Sequence, residues 1–326
     1  RMKILIIRFS SIGDIVLTSP IIRCIKNQII ESEIHFLTKD SFAGLLAHHP
    51  YIQKIHSLKK NDLSAIIESL KTENFDCIID LHKNIRTFKI KRALHIKSYS
   101  FAKLNIQKWL FVNFKIDLLP EKHIIDRYFE GIQSFGITND QNGIDFYLPH
   151  NFTYDLKIHA LHKHNFYVVA LGATYYTKQI PIDTLNALFK QLNDAPIVLI
   201  GHGEVDYNKS ISIMENPKNK TMINLCNKLT IHESASLIQQ SKLLLTGDTG
   251  MMHIASSFDV PIVTLWGNTH PKFGMYAYRN YGIKNYIVDL PCHPCSKLGN
   301  NACPRQHFHC MKKQDIDKII AELPIN

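Results

Sequence analysis

The stretch that decides the fold is Leu243-Leu244-Leu245-Thr246-Gly247-Asp248-Thr249-Gly250-Met251-Met252-His253-Ile254-Ala255. An apolar run of the kind buried in a parallel sheet ends in Gly-Asp-Thr-Gly, and a helical pattern starts at once. Ligands of open α/β sheets bind at the carboxyl ends of such strands. The two glycines let backbone approach a ligand, and the free N–H groups at the helix start suit a diphosphate. The alternative is a tight turn in which Asp248 or Thr249 is only the helix N-cap.

A second strand end lies near the start of the chain. Lys3 to Phe9 is an apolar, β-branched strand pattern, and Ser10-Ser11-Ile12-Gly13-Asp14 follows it before a helix. The dinucleotide and P-loop glycine patterns are both missing here. Asp14 is therefore either a general base at the sheet edge or the N-cap of the next helix.

A third strand end, after Phe166 to Leu171, carries one lysine. The turn runs from Gly172 through Thr174 and Lys178 to Pro181, which can open a helix. An ammonium group at this point can neutralise a phosphate as a point charge. The alternative is an ordinary solvated lysine.

Strand-like runs alternate with helical stretches, which predicts an α/β protein. Asp145 to Tyr154 reads as a linker, so two α/β halves meet near residue 150. Further predicted strands are Glu33 to Thr38, Asp76 to Leu81, Pro196 to Ile200, Met222 to Leu225, Pro261 to Trp266 and Tyr286 to Leu290. Helices are expected at Leu63 to Thr72, Ile182 to Asn193 and Ile231 to Gln240.

The length of 326 residues fits about two domains, and 45% hydrophobic residues suffice for real cores. The longest apolar run, Phe166 to Leu171, is far shorter than the roughly 20 residues of a membrane-spanning helix. The amino-terminal apolar stretch is too short for a signal peptide. The sequence therefore predicts a cytoplasmic protein without a transmembrane segment.

The net charge of +10 is concentrated in one segment. Between Leu81 and Ile116 there is no Asp or Glu, and the basic residues are Lys83, Arg86, Lys89, Lys91, Arg92, Lys97, Lys103, Lys108 and Lys115. Phe88, Phe101, Trp109, Phe111 and Phe114 are mixed in. Such a segment indicates an anion- or membrane-facing surface, or else a solvated helix face.

Seven cysteines occur. Cys24, Cys77 and Cys226 are isolated and read as small buried hydrophobes. Cys292, Cys295, Cys303 and Cys310 are clustered, and the first pair has the spacing of a zinc knuckle. A structural zinc on these four thiolates, free thiols, and disulfides formed by oxidation are the three interpretations. His293, His307 and His309 could each replace a cysteine ligand.

The three turns together resemble glycosyltransferase family 9, the bacterial lipopolysaccharide heptosyltransferases. The resemblance rests on Ser10 to Asp14 with Pro20, on Lys178 with Pro181, and on Gly247 to Ala255 leading to Pro261 and Trp266-Gly267. Phe75 to Thr87 and Cys292-x-Pro294-Cys295 are similar to further signatures of that family. The matching motifs keep one order from residue 2 to about residue 313.

The resemblance implies a GT-B fold, in which two Rossmann-like domains with parallel sheets face a central cleft. The implied domains are 1–150 for the acceptor, 151–313 for the nucleotide sugar, and a C-terminal helix at 314–326. It implies inverting transfer of a heptose or related sugar, typically from ADP-heptose, to the inner core of lipopolysaccharide. The implied partners are thus a nucleotide diphosphate sugar, an anionic core acceptor and the inner-membrane surface, where the enzyme is peripheral; no nucleic acid is expected.

The family's catalytic aspartate falls on Asp14. The residues assigned to the donor are Thr174, Lys178, Asp248, Thr249, Gly250 and His253. Those assigned to the acceptor are Ser10, Ser11, Gly13, His82, Lys83, Asn84 and Arg86. Where the family often has Arg-Trp-Pro after the lysine, this chain has Gln179-Ile180-Pro181, which leaves the identity of the donor open.

Inverting transfer needs a base for the acceptor hydroxyl and positive charge at the leaving diphosphate. Asp14 and Lys178 can supply these, so no catalytic metal is expected. The one Asp-x-Asp, Asp315-Ile316-Asp317, reads as the surface of a terminal helix. Two other functions stay open at this point: a nucleotide-sugar epimerase-like enzyme of the same fold, and a basic, zinc-containing nucleic-acid-binding protein.

Overall fold

The computed structural model describes residues 1–60, 62–216 and 221–324. The chain forms two compact units. The first comprises Arg1–Lys103 and Lys122–His150, and the second comprises Leu104–Glu121 and Asn151–Asn326. Residues 104–121 thus belong to the second unit although they precede the linker predicted near residue 150.

The first unit is built on a five-stranded parallel sheet of order β3-β2-β1-β4-β5. Its strands are β1 (Met2–Ile7), β2 (Ser32–Lys39), β3 (Lys54–Leu58), β4 (Cys77–Asp80) and β5 (Lys97–Ser100). Its helices are α1 (Ile12–Val16), α2 (Ser19–Gln28), α3 (Leu63–Lys71), α4 (Ile85–Leu94) and, after the excursion of residues 104–121, α6 (Ile124–Gly131).

The second unit has a six-stranded parallel sheet of order β11-β10-β9-β6-β7-β8. Its strands are β6 (Tyr167–Ala170), β7 (Ile197–Ile200), β8 (Met222–Asn224), β9 (Leu243–Thr246), β10 (Ile262–Trp266) and β11 (Ile283–Ile287). Its helices are α5 (Asn105–Phe114), α7 (Ile182–Gln191), α8 (Glu204–Met214), α9 (Ile231–Gln239), α10 (Gly250–Ala255), α11 (His309–Lys312) and α12 (Ile316–Ala321).

The central strands are buried on both faces, as parallel strands covered by helices must be. In β9, Leu243 and Leu245 pack into one core layer, whereas Leu244 packs into the other. The alternation follows the two-residue period of a strand. The prediction of an α/β protein with two parallel sheets is confirmed.

Each sheet has one point where the strand order reverses. In the first unit this point lies between β1 and β4, and in the second it lies between β6 and β9. The turns after these four strands are Arg8 to Asp14, Leu81 to Arg86, Gly172 to Pro181 and Gly247 to Gly250. These four turns therefore lie at topological switch points, where open α/β sheets bind ligands.

Three strands differ from the sequence-based prediction. β3 and β5 were missed because Lys54–Leu58 and Lys97–Ser100 are short edge strands with interspersed polar residues. β11 lies at Ile283–Ile287, ahead of the predicted Tyr286 to Leu290. The C-terminal helix predicted within 314–326 is α12, and residues 325–326 lie outside the described part. Among the described residues, no helix combines the length and the apolar character needed to cross a membrane.

Candidate active site

Asp14 lies in the first turn of α1, where three hydrogen-bond donors hold its carboxylate. Ser11 donates from its backbone N–H at 3.1 Å and from its hydroxyl at 2.9 Å, both to Oδ2. Ser11 is the N-cap of α1, so the N-cap alternative for Asp14 is wrong. Asp14 instead reaches back to the cap residue, as the third residue of a capping box does.

The third donor is Arg8, whose Nη2 lies 2.5 Å from Oδ1 of Asp14. The same guanidinium donates to the carbonyl of Ser10 at 2.9 Å and to that of Leu81 at 2.5 Å. Arg8 therefore ties the ends of β1 and β4 together through the turn that carries Asp14. Burial raises the pKa of Asp14, but the charge of Arg8 and the bonds from Ser11 outweigh it and lower the pKa from 3.8 to about 2.

The segment after β4 packs around Phe9, which lies two residues past the end of β1 and is fully buried. The His82 ring meets it edge-on at a centroid distance of 4.9 Å, and the Arg86 guanidinium lies 5.6 Å from its centroid. Burial, together with the positive charge of Arg8, lowers the pKa of His82 from 6.5 to about 4. His82 is thus neutral at physiological pH and available as a hydrogen-bonding group.

The other residues assigned to the acceptor have local roles as well. Asn84 is the N-cap of α4 and accepts from the N–H of Thr87 at 3.0 Å. Lys83 donates from Nζ to the carbonyl of Phe101 at 3.0 Å. Ser10 is partly exposed beside Ser11, and Gly13 is buried inside α1. The structure brings this set to one edge of the first sheet; their binding of an acceptor stays a prediction.

Lys91 is not one of the solvated charges that the basic segment indicated. Its ammonium lies 2.9 Å from Oδ2 of Asp80, a carboxylate that is fully buried at the end of β4. Asp80 also accepts from the backbone N–H groups of His82 at 3.1 Å and Lys83 at 2.7 Å. Lys91 therefore compensates a buried charge, while Lys89 and Arg92 remain exposed on α4.

In the second unit, Lys178 and Asp248 come together. Lys178 ends a short 3₁₀ turn after β6, Asp248 follows β9, and Nζ lies 2.7 Å from Oδ2 of Asp248. The hydroxyl of Thr269, beyond β10, donates to the same oxygen at 2.8 Å. The alternative of a merely solvated Lys178 is thus wrong.

Two glycines allow the backbone of Thr177 and Lys178 to pack directly against neighbouring backbone. A Cβ on Gly247 would lie 2.0 Å from the carbonyl oxygen of Lys178. A Cβ on Gly267 would lie 2.0 Å from that of Thr177. Close approach at Gly247 therefore serves the chain's own backbone, whereas the sequence analysis assigned it to a ligand.

The remaining donor candidates surround the start of α10. Thr249 is its N-cap, and its hydroxyl lies 2.9 Å from that of Thr246. Gly250 is the first helical residue, His253 is buried within the helix, and Thr174 is exposed in the loop after β6. Lys178 and the start of α10 thus converge at one switch point. Donor binding by the whole set stays a prediction.

The four clustered cysteines are free thiols in the described structure, and a structural zinc on them is not shown. Among the described residues, the one set of three or more metal-ligating atoms within 4.8 Å of each other is that of His35, His56 and Glu73. Cys310 is buried in the core, which raises its thiol pKa to about 12, and Cys303 Sγ accepts from the N–H of Phe308 at 3.4 Å. A zinc ligand must be a thiolate. The four sulfur atoms form no set of three within 4.8 Å of one another among the described residues.

Hydrogen bonds and packing hold the cysteine-containing segment instead. Asn300 accepts from the N–H of Thr177 at 3.1 Å and donates to its hydroxyl at 2.8 Å. Cys295 donates from its N–H to the carbonyl of Asn268 at 3.1 Å. The segment therefore buttresses the turn that ends in Lys178.

The histidine cluster of the first unit is a hydrogen-bonded charge network. His35 Nδ1 lies 2.9 Å from His56 Nε2, and His35 Nε2 lies 2.9 Å from Glu33. Both carboxylate oxygens of Glu73 are in ion pairs, with Lys3 and with Lys54. Two ammonium groups already neutralise the carboxylate that a metal would need, so the cluster does not fit a metal site.

Arg8 and Thr269 are the functional candidates that the sequence analysis missed. Arg8 follows the apolar run of β1 directly, and Thr269 lies just past β10. A charged or hydroxyl side chain just past the carboxyl end of a buried strand was the available signal for both.

Two parallel-sheet units, each with charged side chains at its switch point, have the frame of a GT-B glycosyltransferase. The profile of glycosyltransferase family 9 (heptosyltransferase) matches residues 63–305. The chain belongs to this family. The predicted glycosyltransferase activity and the GT-B class of two Rossmann-like domains are confirmed.

Individual relatives agree with the family. Lipopolysaccharide heptosyltransferase 1 of Campylobacter coli is 25% identical over 99% of both chains. The crystal structure of a family 9 glycosyl transferase from Veillonella parvula superposes with a TM-score of 0.76 at 18% identity, covering 98% of this chain and 95% of that one. E. coli heptosyltransferase WaaC with ADP gives a TM-score of 0.68 at 19% identity, covering 91% and 96%.

Proposed function

We propose that the protein transfers a heptose from ADP-heptose to the inner core of lipopolysaccharide, with inversion at the anomeric carbon. The observation that carries the proposal is the ion pair of Lys178 and Asp248, 2.7 Å apart beside the first turn of α10 in a family 9 chain. Lipopolysaccharide heptosyltransferase 1 of Campylobacter coli matches over 99% of both chains and supports this choice of sugar and acceptor.

Asp14 is the proposed general base. It takes the proton of the acceptor hydroxyl as that oxygen attacks the anomeric carbon and the bond to the diphosphate breaks. Its carboxylate is ionised throughout the physiological range because Arg8 and the bonds from Ser11 outweigh burial and lower its pKa to about 2. The bonds from Ser11 fix its direction, so little reorganisation is needed when the hydroxyl arrives.

Lys178 and the start of α10 are proposed to hold the leaving diphosphate. The ammonium has three donors, one of which is used by Asp248, so it can also bind a phosphate oxygen. The N–H groups that follow Thr249 add the positive end of the helix. Asp248 itself carries the same charge as a phosphate, so its role is to orient Lys178 rather than to contact the diphosphate. This arrangement supplies the charge without a metal ion.

The acceptor is assigned to the first unit, where His82, Lys83 and Arg86 lie at the same switch point as Asp14. Exposed Lys89 and Arg92 on α4 add positive charge for an anionic core or membrane surface. We therefore place the protein at the cytoplasmic face of the inner membrane, as a peripheral enzyme.

The test is nucleotide release by the purified protein with ADP-heptose. ADP should appear when heptose-deficient lipopolysaccharide core is added, and only background hydrolysis should occur without it. Replacement of ADP-heptose by UDP-sugars should abolish the reaction. Isomerisation of the sugar without acceptor would instead favour an epimerase, and ADP release that ignores the acceptor would refute the transfer.

Variants assign the roles. Asp14→Asn should retain ADP binding and lose about two to four powers of ten in turnover, the usual contribution of a general base. Lys178→Ala and Thr249→Ala should weaken ADP binding while the melting temperature of the ligand-free protein changes little. Unchanged ADP affinity in both would place the diphosphate elsewhere.

A further inference from the structure

The outward face of α5 carries large apolar side chains beside exposed Asn105 and Asn113, which is unusual for a helix at a protein surface. Ile106, Trp109 and Phe114 are 73%, 55% and 59% exposed, and Ile116 and Leu118, just after the helix, are also exposed. A surface helix normally turns polar residues outward. These five residues form a dense exposed apolar patch within thirteen positions, and such patches mark sites of interaction.

The opposite face of α5 is firmly held by the second unit. Phe111 is buried and meets the rings of His270 and Phe273 at centroid distances of 5.5 and 5.8 Å. Lys115 donates from Nζ to the carbonyls of Cys292 and Pro294 at 3.3 and 2.6 Å. The patch is therefore presented on an anchored helix, and its exposure is not that of an unattached tail.

The charge of the same segment selects the occupant. Residues 104–116 contain Lys108 and Lys115 and no Asp or Glu. The first carboxylate after them, Asp117, is neutralised by an ion pair with Lys272. An apolar face that includes Trp, on a positively charged segment, matches the boundary between headgroups and acyl chains of an anionic bilayer.

We propose that α5 is a membrane-docking helix, which inserts Ile106, Trp109 and Phe114 shallowly into an anionic lipid surface. This inference deepens the peripheral membrane location given under the proposed function. It assigns the inserting contact to the second unit.

The chain carries its own reporter for the test. It has two tryptophans, of which Trp266 is 1% exposed with its indole N–H bound to Asn285, whereas Trp109 is exposed. The full-length protein is titrated with vesicles of phosphatidylethanolamine and phosphatidylglycerol, and separately with neutral phosphatidylcholine vesicles. Tryptophan emission should shift to the blue with the anionic vesicles, and lipids brominated on the acyl chain should quench it. Trp109→Phe should abolish both signals while co-sedimentation with vesicles persists.

Substitution of the apolar face gives the decisive comparison. Ile106→Ser with Phe114→Ser should lower the vesicle partition coefficient at least about tenfold, because two apolar side chains no longer enter the lipid. The matched control is Val205→Ser with Ile211→Ser, which removes two exposed apolar side chains from α8 and should leave partitioning unchanged.

Three results would overturn the inference. The first is a tryptophan emission spectrum that does not shift with any vesicle. The second is equal partitioning of the α5 and α8 variants onto vesicles. The third is a concentration-dependent dimer that only the α5 substitutions abolish. The last result would show that a second copy of the chain covers the face. Failure of the proposed function can be distinguished from failure of this inference, because vesicle binding is measured without any sugar. If the Ile106→Ser, Phe114→Ser variant loses vesicle binding but keeps normal turnover on a water-soluble core fragment, both proposals are supported.

Discussion

Replacing Arg8 should reveal the cost of keeping a partly buried carboxylate ionised. The lowering of the Asp14 pKa from 3.8 to about 2 corresponds to about 2 kcal/mol in favour of the ionised form. Burial acts in the opposite direction and is the largest single influence on this group. In Arg8→Gln the guanidinium no longer offsets burial, so the pKa of Asp14 should rise from about 2.

The sign of the pH dependence follows from this shift. In the wild type Asp14 stays ionised at every pH above about 4, so the rate of ADP release should have no acid limb due to this group. In Arg8→Gln the rate should fall as the pH decreases, with an acid limb at higher pH than in the wild type. Ser11→Ala removes one hydroxyl donor and should shift the limb in the same direction, but less.

The assay is the initial rate of acceptor-dependent ADP release between about pH 4.5 and 8 at constant ionic strength, since exposed charges respond to salt. Arg8→Lys is the matched control because it keeps the positive charge, and its profile should stay closer to that of the wild type. Thermal melting at each pH identifies loss of fold, to which the lost bonds to the carbonyls of Ser10 and Leu81 could contribute. If the pH–rate profiles of folded Arg8→Gln and folded wild type coincide on their acid sides, the role of Arg8 in setting the basicity of Asp14 is refuted.

Three further predictions concern other parts of the chain. Gly267→Ala places a methyl group 2.0 Å from the Thr177 carbonyl and should displace the Lys178 turn. ADP binding measured by calorimetry should therefore weaken. The control is Gly44→Ala, where no atom lies within 4 Å of the added methyl group, and its ADP binding should be unchanged. Lys89→Glu with Arg92→Glu should weaken acceptor or anionic-vesicle binding at low salt but much less at high salt, with unaltered ADP affinity; a fall in ADP affinity would place the patch on the donor. Metal analysis of protein purified without chelator should find less than about a tenth of an equivalent of zinc. A full equivalent of zinc that disappears when the cysteines are replaced by serine would contradict this prediction.

The sequence alone determined the class of the protein. Apolar runs such as Lys3 to Phe9 and Leu243 to Thr246 are read from local pattern, because a strand buried on both faces must be apolar throughout. The turns that follow them are contiguous in sequence, so Asp14, Lys178 and Asp248 could be selected as candidates before any contact was known. The edge strands β3 and β5 were not predicted because a strand exposed to solvent on one side can carry polar residues.

Only the tertiary structure decided which of these groups meet and what each contact does. The pairs Arg8 with Asp14 and Lys178 with Asp248 depend on side-chain direction and on strand order, which local pattern does not encode. The same holds for Lys91, whose ammonium neutralises buried Asp80, and for residues 104–121, which pack with the second unit. Cysteine spacing suggested a metal, yet the fold uses that segment to support the Lys178 turn. The physical reason is that hydrogen bonds, ion pairs and burial join residues far apart in sequence, and their strength is set only once the chain has packed.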